Sequence, residues 1–203
     1  MSLHADAAAV LTRWTPPDSD QERLRDRYLR LLRQRPDAML RACVPEHLTA
    51  SALVVSAAHS HVLLTLHARL GRWLQTGGHC EDDLTLAAAA RREAVEESGI
   101  PGLVIDTVPV LLSRHEVPCG PVRPAFHLDV QYVCVAPRAA VTVISDESLD
   151  LCWFGAESLP DNTDDSVRAL VAASLRRLSQ TASRGESSSS SHGWPAAADT
   201  PSR

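Results

Sequence analysis

Three glutamates, Glu93, Glu96 and Glu97, stand at i, i+3 and i+4 in the run Arg92-Glu93-Ala94-Val95-Glu96-Glu97-Ser98-Gly99-Ile100. On a helix this spacing puts their Cβ atoms about 5–6 Å apart on one face. Like charges so placed repel and weaken the bare helix, and helix propensity does not require them. A divalent cation removes that cost. Hard ions such as Mg²⁺ take carboxylate oxygens and keep waters that a phosphate can replace. Upstream, Gly77 and Gly78 let the backbone turn tightly or approach a ligand without a Cβ in the way. An isolated E-x-x-E-E is usually a surface helix paired with arginines such as Arg91 and Arg92. Here the glycine pair, the arginine, the acids and a closing glycine all fall in one register.

That register resembles a known motif. Gly78-x5-Leu84-x7-Arg92-Glu93-Ala94-x-Glu96-Glu97-x-Gly99-Ile100 is similar to the Nudix box. The box spans Gly78–Ile100, and a wider resemblance runs from about Leu48 to Leu178. One position departs from the pattern: Leu84 stands where the family carries its first glutamate, which supports the loop and helix against the box arginine. Glu81 and Asp83 lie close enough to substitute. Thr76 replaces a proline that many members carry before the glycines.

The resemblance implies an α/β fold, a Nudix-type α/β/α sandwich around a mixed β-sheet, to which the sequence adds an extra N-terminal helix outside the resemblance. It implies hydrolysis of a phosphoanhydride bond in a nucleotide-like diphosphate substrate, with Mg²⁺ or Mn²⁺ as cofactor. By position, Glu93, Glu96 and Glu97 would hold metal, Glu93 would activate water and Arg92 would orient the acids. Gly78 would approach the substrate. Glu147, six residues before Trp153, looks like the family's distal acid, with Asp146 and Asp150 as competitors. A diphosphate also calls for guanidinium donors. Arg69 and Arg114 are the expected ones, with Arg72 nearby. His79 and His127 could face the cleft, though hydrogen-bonded structural roles suit them better. Trp73 suits base stacking and packing equally. The alternative is a catalytically weakened nucleotide-sensing domain marked by Leu84. The retained charged set favours the enzyme.

These residues need elements to position them. Leu84–Ser98 reads as a helix, capped by Asp83 or Thr85 and ended by a left-handed Gly99. Its alanines at 87, 90 and 94 make a smooth side for a sheet. Strands are predicted at Ser51–Ala57, His61–His67, Leu103–Leu112, Phe126–Val135 and Leu149–Phe154. Gly71–Gly78 is predicted as a loop, and Val117–Pro124 joins two strands. Ahead of them, Asp18 or Ser19 caps a helix to Gln34 with Leu24, Tyr28, Leu31 and Leu32 on one stripe. Its arginines pair with Asp20, Glu22 and Asp26. An amphipathic helix at Asp164–Ser179 closes the fold. The organisation is 1–47 helical extension, 48–182 hydrolase domain and 183–203 disordered serine-rich tail.

Composition sets the outer limits. A chain of 203 residues suits one domain. Twenty-five acids against 20 bases, all of them arginine, give a net charge of -5. An acidic chain is a poor partner for nucleic acid or anionic membranes. Residues 78–100 hold six acids and two bases, so most of that charge sits at the box. No apolar run reaches the roughly 18 residues of a membrane span, and the start lacks a signal-peptide pattern. Five cysteines without a CxxC pair suggest free thiols in a reducing cytoplasm. His59-Ser60-His61 has no companion at zinc spacing. A small-molecule substrate is the expected partner, and a homodimer is a possible assembly.

Overall fold

The computed structural model describes residues 2–80, 82–117, 122–145 and 148–186. Glu81, Cys119, Asp146, Glu147 and the stretch from 187 onward, on which the sequence places expectations, lie outside the described residues.

The central strand is β1, Glu46–Val55. Its side chains alternate between two hydrophobic cores. Leu48, Ala50, Ala52 and Val54 face one, and Leu53 and Val55 face the other. A strand covered on both faces reads as a continuous apolar run, as parallel strands do. β1 pairs in parallel with β7, Ala125–Val135, from Glu46 opposite Phe126 to Val55 opposite Val135.

On its other edge β1 changes partner midway. Residues 49–52 pair with β4, Thr76–His79, and residues 54–55 pair with β2, His61–His67. Beyond β2 lie β3, Trp73–Leu74, and β8, Ser148–Gly155. β7 is flanked by β5, Val104–Ile105, and β6, Leu111–Val117. The result is a mixed sheet of eight strands among the described residues.

Helices α1 (Leu3–Arg13), α2 (Ser19–Gln34) and α3 (Leu86–Ser98) cover the first core, and α4 (Asp165–Glu186) covers the second. The fold is α/β in three layers. Among the described residues, no helix is long and apolar enough to cross a membrane.

The structure departs from the sequence expectations in several places. The predicted loop Gly71–Gly78 forms β3 and enters β4. Glycine-rich segments have low strand propensity, but pairing with β1 overrides it. The predicted strand Leu103–Leu112 divides into β5 and β6. Pro109 has no N–H for a ladder, and Asp106 turns the chain by accepting from Val108 N at 3.0 Å. There are two N-terminal helices rather than one. β1 starts five residues early, at Glu46, and α4 continues to Glu186.

The N-terminal helices are part of the main core. Asp18 caps α2, its Oδ1 accepting from Asp20 N and Gln21 N, both at 2.9 Å. Gln21 then joins the backbone of Leu112 twice, at 3.0 and 2.7 Å. Tyr28 is fully buried and donates to Ser113 O at 2.7 Å. Glu46 ties α2 to the sheet. It pairs with Arg27 of α2 and accepts from Nε and Nη2 of Arg114, on β6, at 3.0 and 2.9 Å.

Burial alone would raise the Glu46 pKa, but its bonds from Arg27 and Arg114 outweigh that and hold it below the ordinary 4.5. A carboxyl depressed in the folded state stabilises it fully above the ordinary value. That contribution is lost as pH falls through the folded-state value. Glu46→Gln is therefore expected to lower stability at pH 7 by about 1–3 kcal/mol, and to flatten the loss of stability below pH 4.5. Urea melts at several pH values check both. A variant whose acid profile parallels the parent would refute this role.

Candidate functional site

The site begins with how α3 is anchored. Thr85 caps it, its hydroxyl accepting from Ala88 N at 3.1 Å. Asp6 of α1 satisfies a second first-turn amide, accepting from Leu86 N at 2.9 Å. At the far end Gly99 takes a left-handed φ of 67°, which favours glycine. Ala89, Ala90 and Ala94 are buried in the first core. The helix is thus fixed in rotation and height.

Glu93 and Glu97, one turn apart, face the glycine pair of β4. A Cβ on Gly78 would lie 2.7 Å from the Glu93 carboxylate, which would have to shift to admit it. Gly77 N–H donates to Glu97 Oε1 at 2.8 Å. Behind β4, Ser51 pairs with Gly77 and donates to the buried Asp129 at 2.6 Å. Thr49 and Gln131 donate to the same carboxylate at 3.1 and 3.2 Å. This network fixes the strand on which the glycines sit.

Arg92 joins the acids. Its Nη1 donates to Glu93 Oε1 at 3.1 Å and to Glu96 Oε2 at 2.9 Å. Its Nε donates to Asp83 Oδ2 and its Nη2 to the carbonyl of His79, both at 2.9 Å. Burial opposes the charge on Arg92, but the bond to Asp83 and the fields of Glu93, Asp83 and Glu96 prevail and raise its pKa. The three glutamates are not equivalent. The Glu93 side chain is 13% exposed and that of Glu96 58%. Glu93 is recessed against Gly78, while Glu96 stands at the rim.

Leu84 is 72% exposed. Asp83, one residue earlier, supplies the acid that holds Arg92. Of the two expected caps, Asp83 and Thr85, Thr85 caps α3.

The remaining expected residues are scattered. Arg114 is held by Glu46, with its guanidinium carbon 3.4 Å from the centre of the Phe126 ring. Arg69 is exposed in the turn after β2, and its backbone N–H donates to His67 Nδ1 at 3.2 Å. That turn adjoins β8, because His67 pairs with Ser148, the residue after Glu147. Arg72 pairs with Asp164 at 3.1 Å. Asp150 accepts from Leu151 N at 2.8 Å. Trp73 packs edge-on against Phe154, their centroids 4.8 Å apart. Cys43, Cys80, Cys134 and Cys152 are free thiols.

His79 and His127 meet a third imidazole, His47, which sequence reasoning does not single out. It precedes Ser51, the expected start of the strand. Only the pairing of β1 with both β4 and β7 brings the three together.

A family model described as the NUDIX domain matches residues 45–174. No curated protein matches the sequence. Several solved structures share the fold. A NUDIX-family hydrolase from Clostridium perfringens is 24% identical, with a TM-score of 0.52 over 64% of this chain and 94% of that one. A MutT protein from Methanosarcina mazei Go1 is 17% identical, with a TM-score of 0.51 over 68% and 96%. An Ap4A hydrolase from C. elegans, in a binary complex, is 16% identical, with a TM-score of 0.50 over 66% and 98%.

The glycine cradle has a measurable consequence. Gly78→Ala is expected to displace the Glu93 carboxylate and weaken Mn²⁺ binding by about 10–100-fold. Titration of free Mn²⁺ by electron paramagnetic resonance reads this directly. Unchanged affinity in a folded variant would show that Glu93 does not depend on the cradle.

Proposed function

Because the chain belongs to the Nudix family, we propose that it is a divalent-metal-dependent hydrolase of a phosphoanhydride bond in a small nucleotide-like substrate. The observation that carries this reading is the recessed Glu93 carboxylate, seated on Gly78 and bonded to Arg92. A recessed carboxylate in contact with a bare glycine, beside two further acids, has the hard oxygen donors that Mg²⁺ or Mn²⁺ requires. The residues present therefore fit the cofactor.

In this reading Glu93, Glu96 and Glu97 hold the ion. When bound, it supplies charge screening and Lewis-acid activation. The other contributions come from the chain. Arg92 orients Glu93 and Glu96, and the Gly77 amide orients Glu97. Glu93 is the recessed acid placed to accept a proton from attacking water. Glu147 is a second candidate for that proton. Arg69, exposed at a turn beside β8, would bind substrate phosphate. Arg114, held by Glu46, keeps its expected substrate role only if Glu46 shares it. Gly78 offers a flat backbone for a phosphate to approach.

The sensor alternative rests on Leu84. Its force is reduced because Asp83 holds the box arginine from the neighbouring position. Free thiols favour a reducing compartment, and we read the protein as cytoplasmic.

Two experiments bear on this reading. Glu97→Gln is expected to abolish Mg²⁺-dependent phosphate release across nucleotide sugars, dinucleoside polyphosphates, ADP-ribose and nucleoside triphosphates. Equal turnover by variant and parent would sink the assignment, and tight binding by the parent with no product would favour the sensor. Separately, Asp83→Asn is expected to lower kcat by about 10–100-fold, with Leu84→Glu near neutral alone and restoring part of the loss in the double variant. A large gain from Leu84→Glu alone would mean that Asp83 does not replace the missing acid.

A further inference from the structure

Beside the carboxylate site, on the same sheet, lies a second group of ligand-type side chains. His47 of β1 sits directly opposite His127 of β7, and His79 of β4 lies across from Thr49. Ring centroids are 5.2 Å apart for His47–His79, 4.9 Å for His47–His127 and 5.1 Å for His79–His127. One ring nitrogen from each lies within 4.8 Å of the other two. All three rings are wholly or largely shielded from solvent.

We propose that His47, His79 and His127 form a site for a Zn²⁺-class transition-metal ion, bound through three imidazole nitrogens and separate from the box carboxylates.

Three observations support it. First, the spacing fits. Two nitrogens on a tetrahedral ion with bonds of about 2.0–2.1 Å stand about 3.3 Å apart. The Nε2 atoms of His47 and His79 stand 3.2 Å apart.

Second, His47 is oriented as metal-binding histidines are. Its Nδ1 lies 3.0 Å from the carbonyl of Cys43, which can only accept, so that nitrogen carries the hydrogen. Its Nε2 is left as a bare lone pair aimed at the cluster. In the ion-free molecule His79 Nε2–H donates to that lone pair. Coordination exchanges this bond for one to the ion as His79 takes its other tautomer, with no net proton released.

Third, His127 Nε2 is buried and has no hydrogen-bond partner among the described residues. A cluster of purely structural histidines would satisfy that atom, because leaving it bare is costly.

The donor set separates this site from the carboxylates. Imidazole suits Zn²⁺ and Co²⁺, whereas carboxylate oxygens suit Mg²⁺ and Mn²⁺. Three ligands leave the fourth tetrahedral position open. The two sites are joined through His79, whose carbonyl accepts from Arg92.

The test is cobalt spectroscopy on the full chain, stripped with a chelator and held in saturating Mg²⁺ to fill the carboxylates. Four-coordinate Co²⁺ absorbs visible light far more strongly than six-coordinate Co²⁺. The parent is expected to take up one equivalent with intense visible bands, lost on adding Zn²⁺. His127→Ala and His47→Ala should each weaken uptake by at least about tenfold, with circular dichroism confirming the fold, while Glu96→Gln leaves it unchanged. No intense band in the parent would overturn the proposal whatever the variants do. So would a thiolate-to-cobalt band in the near ultraviolet, or equal uptake by a folded His127→Ala.

Discussion

The guanidinium of Arg92 spends one positive charge on three carboxylates and a carbonyl, and much of the site depends on how those bonds are shared. Without it, Glu93 and Glu96 would repel across one helical turn in a partly buried place. With it, Asp83 is drawn in from the loop, Glu93 is pulled against β4, and the carbonyl of His79 is fixed. Loop, helix and strand are therefore joined at one side chain. Removing one member of such a set leaves the others desolvated and unpaired, which costs more than the pair contributes. The lock is geometric as well. Arginine is planar and offers five donors in a fixed fork, so a lysine could not hold the same partners at once.

The second constraint is β1. Because both of its faces are covered, its register fixes the two cores at once, and a slip of one residue would exchange them. Its change of partner midway has a functional result. The half paired with β4 holds the glycine pair at the height of Glu93 and Glu97, and the half paired with β2 closes the sheet against β8. Asp129 reinforces the join. Three neutral donors from β1 and β7 satisfy a carboxylate that would otherwise be expensive to bury. The N-terminal helices serve the same end, since α1 supplies Asp6 to the first turn of α3.

What the sequence made legible was local. The α3 helix, Thr85 as one of its two expected caps and its Gly99 end follow from short-range rules, with the helix starting at Leu86 rather than Leu84. The same holds for α2, whose Asp18 cap and most of whose arginine pairs lie within four residues. Long-range features were hidden. Arg114 reads as a free cation until β6 is seen to place it beside Glu46, a residue 68 positions away. Gly71–Gly78 reads as a loop because glycine weakens isolated strands, and only the presence of β1 reverses that. The glutamates themselves were visible, but not their inequality, which depends on the strand opposite. His47 was invisible as a site residue for the same reason.

The departure at Leu84 shows how a motif can be kept by chemistry rather than by position. What a box arginine needs is an acid within reach of its Nε, held where it cannot swing into solvent. A loop ahead of a helix offers more than one such place. Here Asp83 points inward with 15% exposure, and Leu84 points out with 72%. The inward direction falls on residue 83 because the helix starts at Leu86, behind a cap at Thr85, and Asp6 pins that first turn. Loop length before the cap thus decides which residue faces Arg92. A sequence pattern counts residues, whereas the guanidinium responds only to the carboxylate that reaches it.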